Sequence, residues 1–187
     1  TFVRVDNHAV NGRSSKSFIN EKRWDKVLSL LKPGDYVIIQ FGHNDEKPKA
    51  DRHTDPGSTF DYNLAKFVRE TREKGGIPIL MNAVVRRNWL PADQAQTAKP
   101  VGQKIDDENL RNTVATGKVT SAAKAKRKKK TAVELPHVLV DTHGLYIVAP
   151  RDVAQRMNVH FVDANRITHL LEDSLGEEGS KKLHMIY

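Results

Sequence analysis

Tyr36-Val37-Ile38-Ile39-Gln40-Phe41-Gly42-His43-Asn44-Asp45 decides the reading of this chain. Its first six residues are apolar nearly throughout rather than alternating with polar ones, which predicts a strand buried on both faces and therefore parallel pairing. The next four set a glycine, an imidazole, an amide and a carboxylate at that strand's carboxyl end. Open α/β sheets bind their ligands there.

Outward from this stretch, strand and helix patterns alternate. Phe2–Val5 is a short strand candidate, Asn11-Gly12-Arg13-Ser14-Ser15 a turn, and Trp24, Val27, Leu28 and Leu31 recur at i, i+3, i+4 and i+7. They predict an amphipathic helix, N-capped by Asn20 and stopped at Pro33-Gly34. Phe60, Leu64, Phe67, Val68 and Thr71 predict the next helix, closed by Gly75-Gly76, and Ile77–Val85 reads as a second buried strand. Its early proline suits a strand's first residues. Order resumes at Val138-Leu139-Val140, followed by a helix over about 150–157, a strand over 159–163, and a helix carrying Ile167, Leu170, Leu171, Ser174 and Leu175 before Gly176. Such β-α units specify a three-layer α/β/α sandwich around a parallel sheet with right-handed crossovers.

At 187 residues with 38% apolar content, residues 1–187 form a single domain. The absence of cysteine excludes a disulfide, a thiol nucleophile and a thiolate metal site. No window approaches the roughly 18 apolar residues of a membrane span, and no basic-then-apolar leader opens the chain. The formal net charge is +8, of which Lys118, Lys124, Lys126, Arg127, Lys128, Lys129 and Lys130 supply +7. A like-charged block in Ala, Ser and Thr surroundings reads as a solvated loop, and with no aromatic residue interleaved nucleic acid is not the expected partner. The block lies within a low-complexity, basic insertion at about 88–136, where periodicity fails apart from a helical hint near Ile105–Leu110.

The chemistry gathers at two strand-end loops. Ester hydrolysis passes through a tetrahedral intermediate whose oxygen becomes negative, and fixed N–H donors aimed at that oxygen lower the barrier. Gly12 offers an unobstructed backbone N–H and Asn44 an uncharged side-chain amide. Asp45 can accept loop N–H groups and hold Asn44, while Asn11 can tie the first loop to the second. The competing reading is that all four are turn residues chosen for backbone conformation. His43 is placed to line the cleft. Arg86 and Arg87, at the end of the Ile77–Val85 strand, can meet substrate carboxylates bidentately or simply anchor a loop. Ser14, Ser15 and Ser17 sit in no nucleophile elbow and read as helix-capping residues. The eight histidines show no i, i+4 pair, so no metal and no cofactor is expected.

The stretches Asn7–Ser15, Lys32–Asp45 and Met81–Asn88 closely resemble the SGNH (GDSL-type) hydrolases, and within them the rhamnogalacturonan acetylesterase group. Asp141–Gly144, Pro150–Ala154 and Phe161–Asp163 extend the likeness over nearly all of the chain outside the insertion. The resemblance implies a flavodoxin-like fold and removal of O-acetyl groups from pectic polysaccharide by serine acyl transfer. Gly12 and Asn44 match the family's two oxyanion-hole positions. A secreted or periplasmic setting follows from the same likeness.

Two family blocks are absent. No Gly-Asp-Ser and no Asp-x-x-His occurs in the chain, and Asp141-Thr142-His143 has one intervening residue instead of two. That segment is expected to be a loop. The pattern predicts a fragment that lacks the nucleophile and triad histidine, with a sheet incomplete at both ends and marginal stability. Two other readings stay open: a non-catalytic relative that binds polysaccharide, and a nucleic-acid-associated protein acting through the basic insertion.

Overall fold

The computed structural model describes residues 3–95 and 135–184. Its centre is a parallel sheet of β1 (Tyr36–Gln40), β2 (Ile77–Met81) and β5 (His160–Val162) in the order β1-β2-β5, beside an antiparallel pair of β3 (Trp89–Pro91) and β4 (His137–Leu139). Among the described residues these α-helices accompany them: α1 (Ser15–Asn20), α2 (Arg23–Leu30), α3 (Thr59–Glu73), α4 (Ala92–Ala95), α5 (Ala149–Met157) and α6 (Ala164–Ser180). In the sheet register Ile39 lies opposite Leu80 and Leu80 opposite Phe161. This is the parallel α/β sheet that the sequence pattern predicts.

The clearest match between pattern and packing is α3, whose Phe60, Leu64, Phe67, Val68 and Thr71 are all buried. Phe67 stacks on Phe41 at 5.2 Å and meets Trp24 edge-on at 4.7 Å, so α3 joins the end of β1 to α2. Fixing the end of β1 fixes the loop that follows it.

Several boundaries differ from the sequence pattern. The Trp24 helix is α2, and its N-cap position is Lys22, left-handed (φ 59°) and without a side-chain cap bond, rather than Asn20. Asn20 is instead the last residue of a separate helix, α1, which Ser14 caps: the Ser14 side chain accepts from the Ser17 backbone N–H while the Ser17 hydroxyl accepts from the Ser14 N–H. Val3 and Val5 have no strand pairing among the described residues and are 85% and 84% exposed.

β1 is buried on one face only. Strand side chains alternate, and the face carrying Ile39 and Leu80 packs into the core with α3 and α5, whereas Tyr36 and Ile38 point the other way and stay 68% and 64% exposed. Along β1 runs a cavity of about 980 Å³, lined among others by Val3, Val5, Leu31 and Ile38.

β2 stops at Met81, four residues short of the predicted strand. Asn82 turns the chain by bonding Asp163 (2.8 Å) and accepting from the Asn165 N–H (2.8 Å), which stitches the end of β2 to the start of α6. In α6, Ile167, Leu170, Leu171 and Leu175 share the predicted stripe yet are exposed, and Gly176 interrupts the helix with φ 69°. Of the predicted insertion, residues 88–95 and 135–136 are described, and Trp89–Ala95 supplies β3 and α4; the basic block and Ile105–Leu110 lie outside the described residues.

Phe67→Ala should lower stability by about 3–5 kcal/mol, as for loss of a fully buried aromatic side chain. Urea unfolding measures it, and a loss under about 1 kcal/mol would contradict this packing.

Candidate active site

Three loop systems meet where β1 ends: the Gly12–Ser15 segment, the Gly42–Glu46 turn and the Asp141–Tyr146 segment. Gly42 has φ 136°, and a Cβ there would sit 3.3 Å from Ala83 Cβ, so only glycine lets the chain leave β1 this close to β2's extension. Gly12 also has a positive φ (76°), but an added Cβ would meet nothing within 4 Å. The space beside its Cα is therefore open rather than walled.

Asp45 pins the turn. Its buried carboxylate accepts from the Ser15 N–H (3.0 Å), the Ser15 hydroxyl (2.5 Å), the Gly42 N–H (3.1 Å) and the Thr54 hydroxyl (2.9 Å). Burial pushes this carboxyl above its ordinary range, against the pull of those same hydrogen bonds. Asn44 is carried with it: its amide donates to the Arg13 carbonyl at 3.3 Å, and its buried Oδ1 accepts nothing from the described residues. An amide nitrogen has two N–H groups. One holds the first loop, and the other has no acceptor among the described residues.

The remaining predicted residues are placed differently from expectation. Asn11 is exposed and reaches the site only through its carbonyl, which accepts from Arg13; the tie it was expected to make falls to Asn44–Arg13 and Asp45–Ser15. Arg86 donates to the His43 carbonyl (3.1 Å) and pairs with the fully buried Glu46. Arg87 donates to the Glu177 carbonyl (2.6 Å) and the Ser180 hydroxyl (3.1 Å) at the end of α6. Both arginines are anchors in this structure, because a buried carboxylate and a helix's terminal carbonyls need cations nearer than any substrate can bring them. Ser14 is buried in the α1 cap and Ser15 in the Asp45 cluster, so neither is presented to a ligand.

His43 keeps company the sequence did not announce. Its Nδ1 lies 2.9 Å from Nε2 of the fully buried His143, whose Nδ1 lies 3.1 Å from Asp141. Asp141 also accepts from the His143 N–H (2.7 Å) and from Asn165 (2.5 Å). Asp141-Thr142-His143 is a loop just after β4, as expected, and its spacing carried no signal for the contact with His43. Glu46 carries no pattern of its own beyond following Asp45.

Burial first, then the neighbouring His143, Arg86 and Lys47, hold the His43 imidazole down at about 4. Burial pushes the Asp141 carboxyl up, but the hydrogen bonds from the His143 ring and backbone and from Asn165 outweigh it and hold it at about 2.

A family model described as GDSL-like lipase/acylhydrolase matches residues 1–185. This chain belongs to the GDSL-like lipase/acylhydrolase family. Within it, the chain is 35% identical over 159 residues to rhamnogalacturonan acetylesterase RhgT of Bacillus subtilis, covering 85% of this chain and 60% of that protein. It is 40% identical over 88 residues to the probable rhamnogalacturonan acetylesterase YesY of the same organism, covering 46% and 41%. The chain thus spans three-fifths or less of the curated relatives it matches. The crystal structure of Bacillus subtilis YxiM superposes with a TM-score of 0.64 at 19% identity, over 97% of this chain and 38% of that one, which shows the shared SGNH-type α/β fold.

Two outcomes are expected from the charged groups of this GDSL-family site. Asp45→Ala leaves the buried Ser15 and Gly42 N–H groups without an acceptor and should cost about 1–3 kcal/mol for each, read by urea unfolding. On acidification, unfolded His43 takes up its proton near its ordinary 6.5 whereas the folded ring does so only near 4. Its contribution is therefore intact above about 6.5 and is lost as pH falls towards 4, by up to about 3 kcal/mol at 1.36 kcal/mol per pH unit. His43→Gln should flatten the urea midpoint between pH 6.5 and 4, and an unchanged slope would refute the assignment.

Proposed function

We propose that the site stabilises the oxyanion of a carbohydrate O-acetyl ester during hydrolysis, with Gly12 N–H and the free Asn44 N–H as donors. The observation that carries this reading is the Asn44 amide: tied to the Gly12–Arg13 loop by one N–H, held by Asp45 at its neighbour, and left with a second N–H uncommitted. Relatives named rhamnogalacturonan acetylesterase support an acetylated pectic polysaccharide as substrate. On that reading the protein works where pectic polymer is found, outside the cytoplasm.

The chain's part in the reaction is charge stabilisation rather than attack. As the acyl carbon becomes tetrahedral, its oxygen gains charge, and two preoriented neutral donors meet that charge without moving. Attack needs a hydroxyl with an adjacent base. Among the described residues the serines nearest Asn44 are buried in other bonds, and no Gly-Asp-Ser or Asp-x-x-His occurs in the sequence.

The test is p-nitrophenyl acetate hydrolysis by the 187-residue chain and by the polypeptide obtained on extending its reading frame in both directions. Negligible turnover is expected from the chain alone. In an active extended form, Asn44→Ala should lower kcat by roughly 10²–10³, about 2.7–4 kcal/mol, as for loss of one oxyanion donor. A change below threefold removes Asn44 from the mechanism. Turnover by the chain alone that survives Asn44→Ala overturns the assignment altogether.

A further inference from the structure

Three residues that charge stabilisation does not use form a directed chain beside Asn44. Asp141 Oδ2 accepts from Asn165, and Oδ1 accepts from the His143 N–H and faces the His143 ring at Nδ1. An ionised carboxylate only accepts hydrogen bonds, so His143 Nδ1 must carry the proton. When its ring carries that one proton only, His143 presents a lone pair at Nε2. His43 Nδ1, 2.9 Å away, must donate to it, and because a neutral imidazole has a single N–H, His43 Nε2 is left as a lone pair. The order is enforced from its buried end: Asp141 fixes His143, and His143 fixes His43.

The surroundings keep His43 neutral. His143 and Asp141 face it from the segment after β4, Arg86 from the segment after β2, and Lys47 from its own loop, with Glu46 beyond, between Arg86 and His143. The Arg86 guanidinium is held against the His43 carbonyl. The ring stands edge-on to His143, with centroids 4.7 Å apart, so it cannot turn to exchange its nitrogens without breaking the chain.

We propose that His43 Nε2 is a fixed hydrogen-bond acceptor for a free hydroxyl of the acylated sugar, next to the ester group that Asn44 serves. Asp141 and His143 are its positioning residues. The inference rests on the ester-hydrolase reading of the site and adds a substrate class to it: esters of polyols that keep a neighbouring hydroxyl, over plain acyl esters that have none. A site built to hydrogen-bond a substrate hydroxyl discriminates strongly against the analogue lacking it, because its buried acceptor is then left unpaired.

The experiment is imidazole ¹⁵N NMR on the histidine-labelled 187-residue chain at pH 8, with His43 assigned through His43→Gln. The expected state has the proton on Nδ1 and a lone pair on Nε2 of His43. Two probes are titrated in: a methyl mono-O-acetyl hexopyranoside with its other hydroxyls free, and the same acetate with those hydroxyls methylated. Only the first should move the Nε2 resonance.

Asp141→Asn should abolish both the single-tautomer signal and the selective response; it keeps the side chain's shape where His143→Gln fails to fold. A proton on His43 Nε2 at pH 8, equal responses to both sugars, or no response to either overturns the proposal. Those results leave the oxyanion reading untouched if aryl-acetate hydrolysis by the extended polypeptide still depends on Asn44. If that dependence is lost while the selective Nε2 response persists, the ester reading fails and the hydroxyl site stands as a binding site.

Discussion

The buried carboxylate of Asp45 is the constraint around which the candidate site is arranged. A carboxylate taken out of water is tolerated only where donors replace its hydration, and here they come from three distant places: the start of α1 through Ser15, the end of β1 through Gly42, and the loop at Thr54. Each donor is buried as well, so none has water to fall back on. The charge and its donors require one another, and that mutual need brings the Gly12 loop against the Asn44 turn. Tyr146 closes the cluster from the far side by donating to the Thr54 carbonyl at 2.5 Å, and burial pushes its own phenol up beyond the usual range.

The same physical problem is solved twice more within this site. Glu46, fully buried, is pushed up by burial and met by Arg86; Asp141 is met by His143 and Asn165. Every solution runs between strand-end segments of different strands: β1's loop to the segment after β2, and β4's to the start of α6. The mouth of the sheet is therefore cross-braced by charge rather than by a hydrophobic plug. Ser15, Asn44, Glu46 and His143 consequently have fixed partners before any ligand arrives, which is what electrostatic preorganisation requires.

What the sequence made legible follows from which signals are local. The α3 stripe is periodic over four turns and packs as written, and Gly42–Asp45 lies at a strand end because an apolar run followed by glycine and small polar residues has few other uses. Arg86 and Arg87 were legible as cations that meet a substrate or anchor a loop, but the choice was not, since their partners, Glu46 and the end of α6, are some 40 and 90 residues away. The burial of Tyr36–Phe41 was overestimated for a related reason. Apolarity states what a strand can bury, and the covering layer is a property of other segments. Asn11 failed as a tie because an asparagine beside a glycine is equally suited to shaping its own turn.

The chemistry divides along the same line. Donors that stabilise an oxyanion are mostly backbone and amide groups, fixed by turn conformation, and so a short stretch such as Gly42-His43-Asn44-Asp45 can announce them. A proton-ordering chain such as Asp141-His143-His43 spans 98 residues of sequence between His43 and Asp141 and depends on which ring nitrogen meets which. No spacing rule encodes that. Burial of His143 between a carboxylate and a second imidazole leaves it no route to a ligand of its own, so any influence it has on substrate must pass through His43. An imidazole whose polarity is set from behind differs from a free one at a cleft, which changes its hydrogen-bonding partner whenever its tautomer changes. On the proposed reading, His43 held in this way gives the Gly12 and Asn44 donors a neighbour of opposite hydrogen-bonding sense, and a pyranose that carries an ester beside a free hydroxyl presents both complements on adjacent carbons.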